Sequence, residues 1–308
     1  MASAKAFLNG SAGLSDGLLM ALTDRSWWTA WQGARLCPMP YLIHTPGDAL
    51  IWWSRTGPAG RPLLCLPGLG ARAGYLAGLA GHLGPDGPGL ALLDFPGTGQ
   101  SEPLSGCHDL DALAEVTIAV IEWIGAGPLD IFGHSLGGTV AICVAERRPD
   151  LVSSLIVAEG NLAPGGGAAS SRIAAQPIEE FVASGFDTLQ AKLRARGVAG
   201  DALAGALYAA RRGDDPRALH EVSTALVQLR PGVLEAFLAH AGHRAFVYGA
   251  RTCPETADVP PGPDAPDPAT LRAAGVAVQV VPGTGHLMPI EAPEATAAAV
   301  AAHLSPRP

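Results

Sequence analysis

Gly133-His134-Ser135-Leu136-Gly137, with a further Gly138, follows the apolar stretch 128–132 and precedes a helix-forming run over 139–147. A serine between a strand and a helix on so tight a turn has its hydroxyl presented at the sheet edge, where it can act as a nucleophile. Such a residue sits at strained φ/ψ, and its neighbours two positions away must lack side chains for strand and helix to approach. The next amide, that of Leu136, lies at a helix N-terminus and points into the same space, where an N–H stabilises a developing oxyanion. One turn thus supplies a nucleophile, Ser135, and half of an oxyanion site, and the chemistry it predicts is attack on a carbonyl.

The elements that must hold this turn alternate along the chain. Leu14, Leu18 and Leu22, then Trp27, Trp28 and Trp31, predict a short amphipathic helix within 14–34. Residues 37–44 and 49–55 read as a strand pair around Pro46-Gly47-Asp48. Strands are then expected at 62–66, 89–93, 129–132 and 152–158, with helices at 72–83, 110–124 and 136–147 between them. Continuous apolar strands separated by helices imply an α/β fold with a mainly parallel, doubly wound sheet covered on both faces. After Glu159 the alternation stops. Residues 178–182, 189–196, 202–212, 216–229 and 233–240 read as helices, an all-helical lid inserted between two strands. The strand pattern resumes at 244–248, followed by a Pro-rich loop (254–268), a helix at 269–274, a strand at 276–281 and a last helix from Ala292. The expected organisation is a core domain of 1–162 and 241–308 with a helical lid of 163–240.

Four motifs in this order resemble the α/β-hydrolase superfamily, over about residues 40–160 and 243–303. Leu66-Pro67-Gly68-Leu69-Gly70 is similar to the family's oxyanion loop. Residues 93–101, Leu-Asp-Phe-Pro-Gly-Thr-Gly-Gln-Ser, are similar to its D-x-P-G-x-G-x-S segment, and 133–138 to its elbow. Gly283-Thr284-Gly285-His286 before Pro289-Ile290-Glu291 is similar to its catalytic-histidine loop. The resemblance implies that Ser135 is the nucleophile, that His286 is the general base, and that the N–H groups of Leu69 and Leu136 form the oxyanion hole. Asp94, before Pro96-Gly97, is read as a residue that fixes a turn. His134 is expected to point away from Ser135 across the turn, and His44, His82, His108, His220, His240, His243 and His303 to be surface or loop residues.

The acid departs from the commonest pattern. Many relatives place an aspartate three residues after the glycine that ends the next-to-last core strand, but Gly249 is followed by Ala250, Arg251 and Thr252. Glu159 ends the strand after the nucleophile's helix, a position from which some α/β-hydrolases recruit their acid. Adjacent strands are about 5 Å apart, so a glutamate there can reach the outer nitrogen of His286. Glu255 and Asp258, in the loop after Gly249, are the alternative acids.

Composition bounds the partners. The 308 residues are 48% hydrophobic and 16% charged, which suits one large α/β domain or a domain with an insertion. A formal charge of −8 without any run of lysines or arginines argues against nucleic acid and anionic membrane. Five scattered cysteines without C-x-x-C spacing suggest neither a disulfide framework nor a zinc site. No signal-peptide core and no span of about 18 apolar residues occurs, so a cytoplasmic protein is expected. Neither G-x-x-x-x-G-K-[ST] nor G-x-G-x-x-G stands in a first βα unit, and no cofactor or metal is expected.

The resulting expectation is a serine hydrolase or acyl transferase, similar to thioesterases, acting on an ester, thioester or amide. Its acceptor is water or an internal nucleophile, the latter making it a cyclase. Cofactor-free C–C bond hydrolases, proton-transfer enzymes and non-catalytic ligand receptors share the same motifs. Haloalkane dehalogenases and epoxide hydrolases require a carboxylate where Ser135 stands. Ile173, Phe181, Phe186, Leu203, Tyr208, Leu226 and Phe237 suggest an apolar acyl pocket or else the lid's own packing. Arg172, Arg194, Arg196, Arg211 and Arg212 suggest a carrier-protein phosphate, an acidic substrate or a solvated helix face.

Overall fold

The computed structural model describes residues 40–45, 49–57, 60–84, 86–257 and 264–306. The expected helix within 14–34 lies outside them. Strand β1 (Pro40–His44) pairs antiparallel with β2 (Leu50–Thr56), as the first strand pair was read. The remaining strands are β3 (Leu63–Leu66), β4 (Leu90–Leu93), β5 (Leu129–His134), β6 (Val152–Ala158), β7 (His243–Gly249) and β8 (Ala277–Val281). Among the described residues they form one sheet in the order β1-β2-β4-β3-β5-β6-β7-β8, parallel from β4 through β8. β3, β4 and β5 are buried at every position, because a parallel strand between two helical layers meets apolar side chains on both faces.

One face of the sheet packs Leu63, Cys65, Phe132 and Ile156 against Leu76, Leu79 and the C-terminal helix. The other face carries helices α1 (Leu110–Ile124) and α2 (Leu136–Arg147), which pack against each other, with α2 lying on β3, β5 and β6. Local chemistry sets the ends of α1. Asp109 accepts a hydrogen bond from Ala112 N–H at 2.8 Å, and Gly125 ends the helix in the left-handed region at φ 62°.

The segment expected as a helix over 72–83 winds instead as a 3₁₀ helix, Ala73–His82. Its buried residues, Ala73, Leu76 and Leu79, recur every three positions, which matches three residues per turn better than 3.6. Asp94 Oδ1 accepts the Ala73 N–H at 2.7 Å and Oδ2 the Gln100 N–H at 3.2 Å, so Asp94 ties two turns together as its position before Pro96-Gly97 suggested.

Between β6 and β7 the described chain is helical: α3 (Ala168–Ala174), a helical turn (Ile178–Glu180), a π-helical segment (Phe181–Gly185), α4 (Phe186–Val198), α5 (Ala202–Arg211), α6 (Pro216–Val227) and α7 (Val233–Ala239). α3 packs on α6 and α4 on α5, whereas α7 packs on α2. Asp201 and Asp215 cap α5 and α6, accepting from Ala204 N–H at 2.9 Å and Ala218 N–H at 2.8 Å. After β7 come α8 (Pro268–Ala273) and, beyond β8, a turn (Met288–Glu291) and α9 (Pro293–Ala301). No helix among the described residues is long and apolar enough to cross a membrane.

Candidate active site

Ser135 follows the last residue of β5 at φ 54° and ψ −123°, a conformation an L-residue adopts only where its surroundings over-determine it. A Cβ on Gly133 would meet the backbone of Gly137, and one on Gly137 the backbone of Leu66, so the elbow closes only with hydrogen at both positions. The bend aims Ser135 Oγ at His286 Nε2, 3.1 Å away, and His286 Nδ1 lies 3.3 Å from Glu159 Oε2. A carboxylate only accepts, so Nδ1 carries the proton and Nε2 is left to accept from the serine hydroxyl.

Glu159 is the second non-glycine residue with positive φ among the described residues, at 53°. Its Oε1 accepts from Gly249 N–H at 2.8 Å and from Thr252 Oγ1–H at 2.7 Å. Burial pushes its carboxyl up, but the hydrogen bond and charge of His286, with the donors Thr252 and Gly249, hold it below the usual value. The carboxyl is therefore ionised, as it must be to stabilise an imidazolium. Thr252 occupies the place three residues after Gly249 where an aspartate was missing from the sequence, and it acts on the acid without being one. Glu255, one alternative acid, is corrected: it is exposed and ion-paired with Arg272 Nη1 at 2.5 Å. Asp258, the other, lies outside the described residues.

The histidine loop is held from below. Glu291 accepts from Gly285 N–H at 3.2 Å and pairs with Arg251, whose own N–H donates to Thr284 O at 2.9 Å. The glutamate of the Pro289-Ile290-Glu291 motif thus fixes the turn that carries His286.

His134, expected to point away across the turn, has its ring centre 5.1 Å from that of His286 and a task the sequence did not disclose. Its Nε2 lies 2.6 Å from the His286 carbonyl and its Nδ1 2.6 Å from Tyr75 Oη. A carbonyl only accepts, so Nε2 bears the proton. Burial and the nearby His286 push the ring's pKa down to about 3, leaving it neutral, so Nδ1 accepts from the Tyr75 hydroxyl. Tyr75 Oη in turn accepts from Gly68 N–H at 3.1 Å. One chain of hydrogen bonds therefore joins Gly68, in the loop after β3, through Tyr75 and His134 to the histidine loop. The motif contained His134, but no local pattern marks Tyr75. Of the other histidines, His108, His240 and His303 lie in loops or turns as expected but are buried, and His220 is corrected: it is buried within α6; His108 lies 2.9 Å from Glu221.

Gly68 lies over the elbow, where an added Cβ would stand 3.3 Å from that of Ser135. The amides of Leu69 and Leu136 have no backbone acceptor outside their own elements among the described residues, which leaves both free to meet an oxyanion. A cavity of about 590 Å³ is lined by Gly68, Leu69, Ser135, Glu159 and His286 together with Ala206, Leu207 and Leu226 of the inserted helices. Among the apolar residues proposed for an acyl pocket, Leu226 lines it. Ile173, Phe181 and Phe186 instead pack with Leu219 within the helical layer, and Phe237 packs against Phe246 of β7.

Residues 63–299 match the alpha/beta hydrolase family. The chain belongs to that family. It is 30% identical over 154 residues to the dihydrolipoyllysine-residue acetyltransferase component of the acetoin cleaving system of Pseudomonas putida, covering 48% of this chain and 38% of that protein. It is 32% identical over 111 residues to proline iminopeptidase of Neisseria gonorrhoeae, covering 35% of each. The chain thus spans well under half the length of these relatives. Among solved structures, an esterase from Thermogutta terrifontis superposes with a TM-score of 0.66 at 20% identity, over 85% of this chain and 96% of that one. This alpha/beta hydrolase has no cluster of three or more His, Cys, Asp or Glu side chains placed to hold a metal among its described residues.

Proposed function

We propose that this alpha/beta hydrolase cleaves an ester, thioester or amide of a small molecule through an acyl-enzyme on Ser135. The observation that carries the reading is the unbroken line from Ser135 Oγ to His286 Nε2 (3.1 Å) and from Nδ1 to Glu159 (3.3 Å). As Oγ bonds to the substrate carbonyl carbon, its proton passes to Nε2, and ionised Glu159 stabilises the imidazolium. The carbonyl oxygen becomes an oxyanion held by the Leu69 and Leu136 N–H groups, each donor contributing on the order of 3 kcal/mol to the transition state. The tetrahedral intermediate collapses, the leaving alcohol, thiol or amine takes the proton from Nε2, and the acyl group remains on Ser135. Water, or a hydroxyl or amine of the acyl chain itself, then attacks with His286 again as base. The products are an acid or a cyclised ester or amide, and free Ser135.

A cavity of about 590 Å³ suits a drug-sized ligand, and its largely apolar wall suits an acyl chain. The relatives' names, an acetyltransferase component, a peptidase and an esterase, agree in transferring an acyl group and differ in the acceptor. A carrier protein presenting a thioester is one possible source of the substrate, and a cytoplasmic setting fits the free thiols. A fluorophosphonate probe is expected to label folded protein at Ser135 and to leave the Ser135→Ala variant unlabelled. Absence of label on the folded chain would end the acyl-enzyme reading. A panel of acyl p-nitrophenyl esters, thioesters and lactones then separates the substrate classes.

A further inference from the structure

Arg211, the last residue of α5, is 7% exposed, and burial works against its charge. No carboxylate of the described residues pairs with it. Asp214 lies beyond ion-pair distance, though its charge favours that of Arg211, and it accepts from Gly99 N–H at 3.3 Å. The Arg211 guanidinium donates from Nε to Gly70 O at 3.0 Å and from Nη2 to Leu69 O at 2.8 Å. A guanidinium has five N–H groups, so three remain, two on Nη1 and one on Nη2, beyond the two bonds to Gly70 and Leu69.

Arg211 also lines the cavity that holds Ser135. Leu69 connects the two, because its N–H is the oxyanion donor proposed above and its carbonyl accepts from Arg211. Backbone dimensions within one residue then place the guanidinium within roughly 7 Å of the oxyanion donor. The carboxylates that share the cavity are already engaged: Glu159 with His286, Gly249 and Thr252, and Asp264 with Asn161 Nδ2. Arg172 of α3 is a second arginine on the same wall, its Nε donating to Ala168 O at 3.0 Å. The cavity therefore offers cationic donors with no carboxylate at ion-pair distance among the described residues, and no free carboxylate of its own.

We propose that the three remaining N–H groups of Arg211 bind a carboxylate on the substrate, so that the substrate is an ester, thioester or amide bearing a second, anionic carboxyl group. This rests on the acyl-enzyme reading for the bond that is cleaved, but not for the binding. Planar, bidentate recognition of carboxylate is what a pre-positioned guanidinium does well, and the two backbone carbonyls fix its plane.

The test is calorimetric titration of the Ser135→Ala protein, which binds without turnover, with monomethyl glutarate and with uncharged methyl valerate. The charged ester is expected to bind at least about tenfold more tightly, in keeping with a charge-assisted hydrogen bond. That preference is expected to vanish when Arg211→Gln is added, to survive in part with Arg211→Lys, and to persist with Arg172→Gln. Arg211 also braces Leu69 and Gly70, and loss of bracing alone would weaken both esters equally, so the ratio of the two affinities is the reading. If Arg211→Gln does not fold, as judged by thermal unfolding, the ratio in Ser135→Ala and its persistence in Arg172→Gln decide. Equal affinity for the two esters, or a preference abolished by Arg172→Gln and kept by Arg211→Gln, would overturn the proposal. Failure of the acyl-enzyme reading shows separately, as an unlabelled Ser135.

Discussion

β6 and β7 are neighbouring parallel strands that end side by side, yet β6 runs into a carboxylate, Glu159, and β7 into a hydroxyl, Thr252. The common pattern of the family puts the acid after β7. Here the two ends have exchanged tasks without losing contact, since Thr252 donates to Glu159 at 2.7 Å and Gly249 N–H adds a second donor at 2.8 Å. What the histidine needs is an ionised oxygen at Nδ1, and the strand that delivers it is secondary. The longer glutamate spans the added inter-strand distance, while its positive φ turns the side chain toward His286 at a cost of order 1–3 kcal/mol that the surrounding hydrogen bonds offset.

The sharpest way to break this comparison is Glu159→Gln, expected to lower kcat by about 10⁴, the cost of neutralising an acid that holds the tautomer. Adding Thr252→Asp to that variant moves the acid to its usual strand. Recovery of tenfold or more would show the two strand ends to be interchangeable, and no recovery would show that β6 alone is in register with His286.

Thr252→Ala sharpens it more gently. Loss of one donor to the carboxylate is expected to raise the Glu159 pKa toward its ordinary value, readable by carboxyl ¹³C titration, and to lower kcat at neutral pH by less than about tenfold. An unmoved titration would mean that Thr252 only fills space.

The last expected effect is on stability against pH and not on turnover. His134 has its folded pKa depressed from 6.5 to about 3, so the unfolded chain binds more protons between those values. Its contribution is fully present above pH 6.5 and is lost progressively as pH falls toward 3. Urea midpoints measured across that window should therefore decline with acid, and decline less in His134→Gln, whose amide takes up no proton. Equal slopes would mean that other groups dominate acid unfolding.

Much of this was legible along the chain. The parallel sheet, the inserted helices and the place of Ser135 follow from residues only a few positions apart: apolar runs, aspartate caps, and glycines that a tight turn demands. The 3₁₀ helix was also written there, as a period of three at Ala73, Leu76 and Leu79, but a helical pattern read at 3.6 conceals it. Local physics acts at that range, because backbone sterics and capping hydrogen bonds involve neighbours.

The acid was a different kind of question. Glu159 and His286 are 127 positions apart, and which carboxylate meets Nδ1 depends on the register of β6 against β7 and on where the loop after β8 turns back. Sequence reduced the choice to Glu159, Glu255 and Asp258. Packing then put Glu159 at the histidine and drew Glu255 onto Arg272. In the same way Tyr75 became a link between Gly68 and His134, and of the readings open to Arg211 the solvated helix face was ruled out by its burial. Those outcomes belong to tertiary structure because they are contacts between segments whose spacing along the chain carries no information about their distance in space. What the sequence by itself determined is the tight turn at Ser135 and the loop that carries His286; what the folded chain decided is which groups surround them.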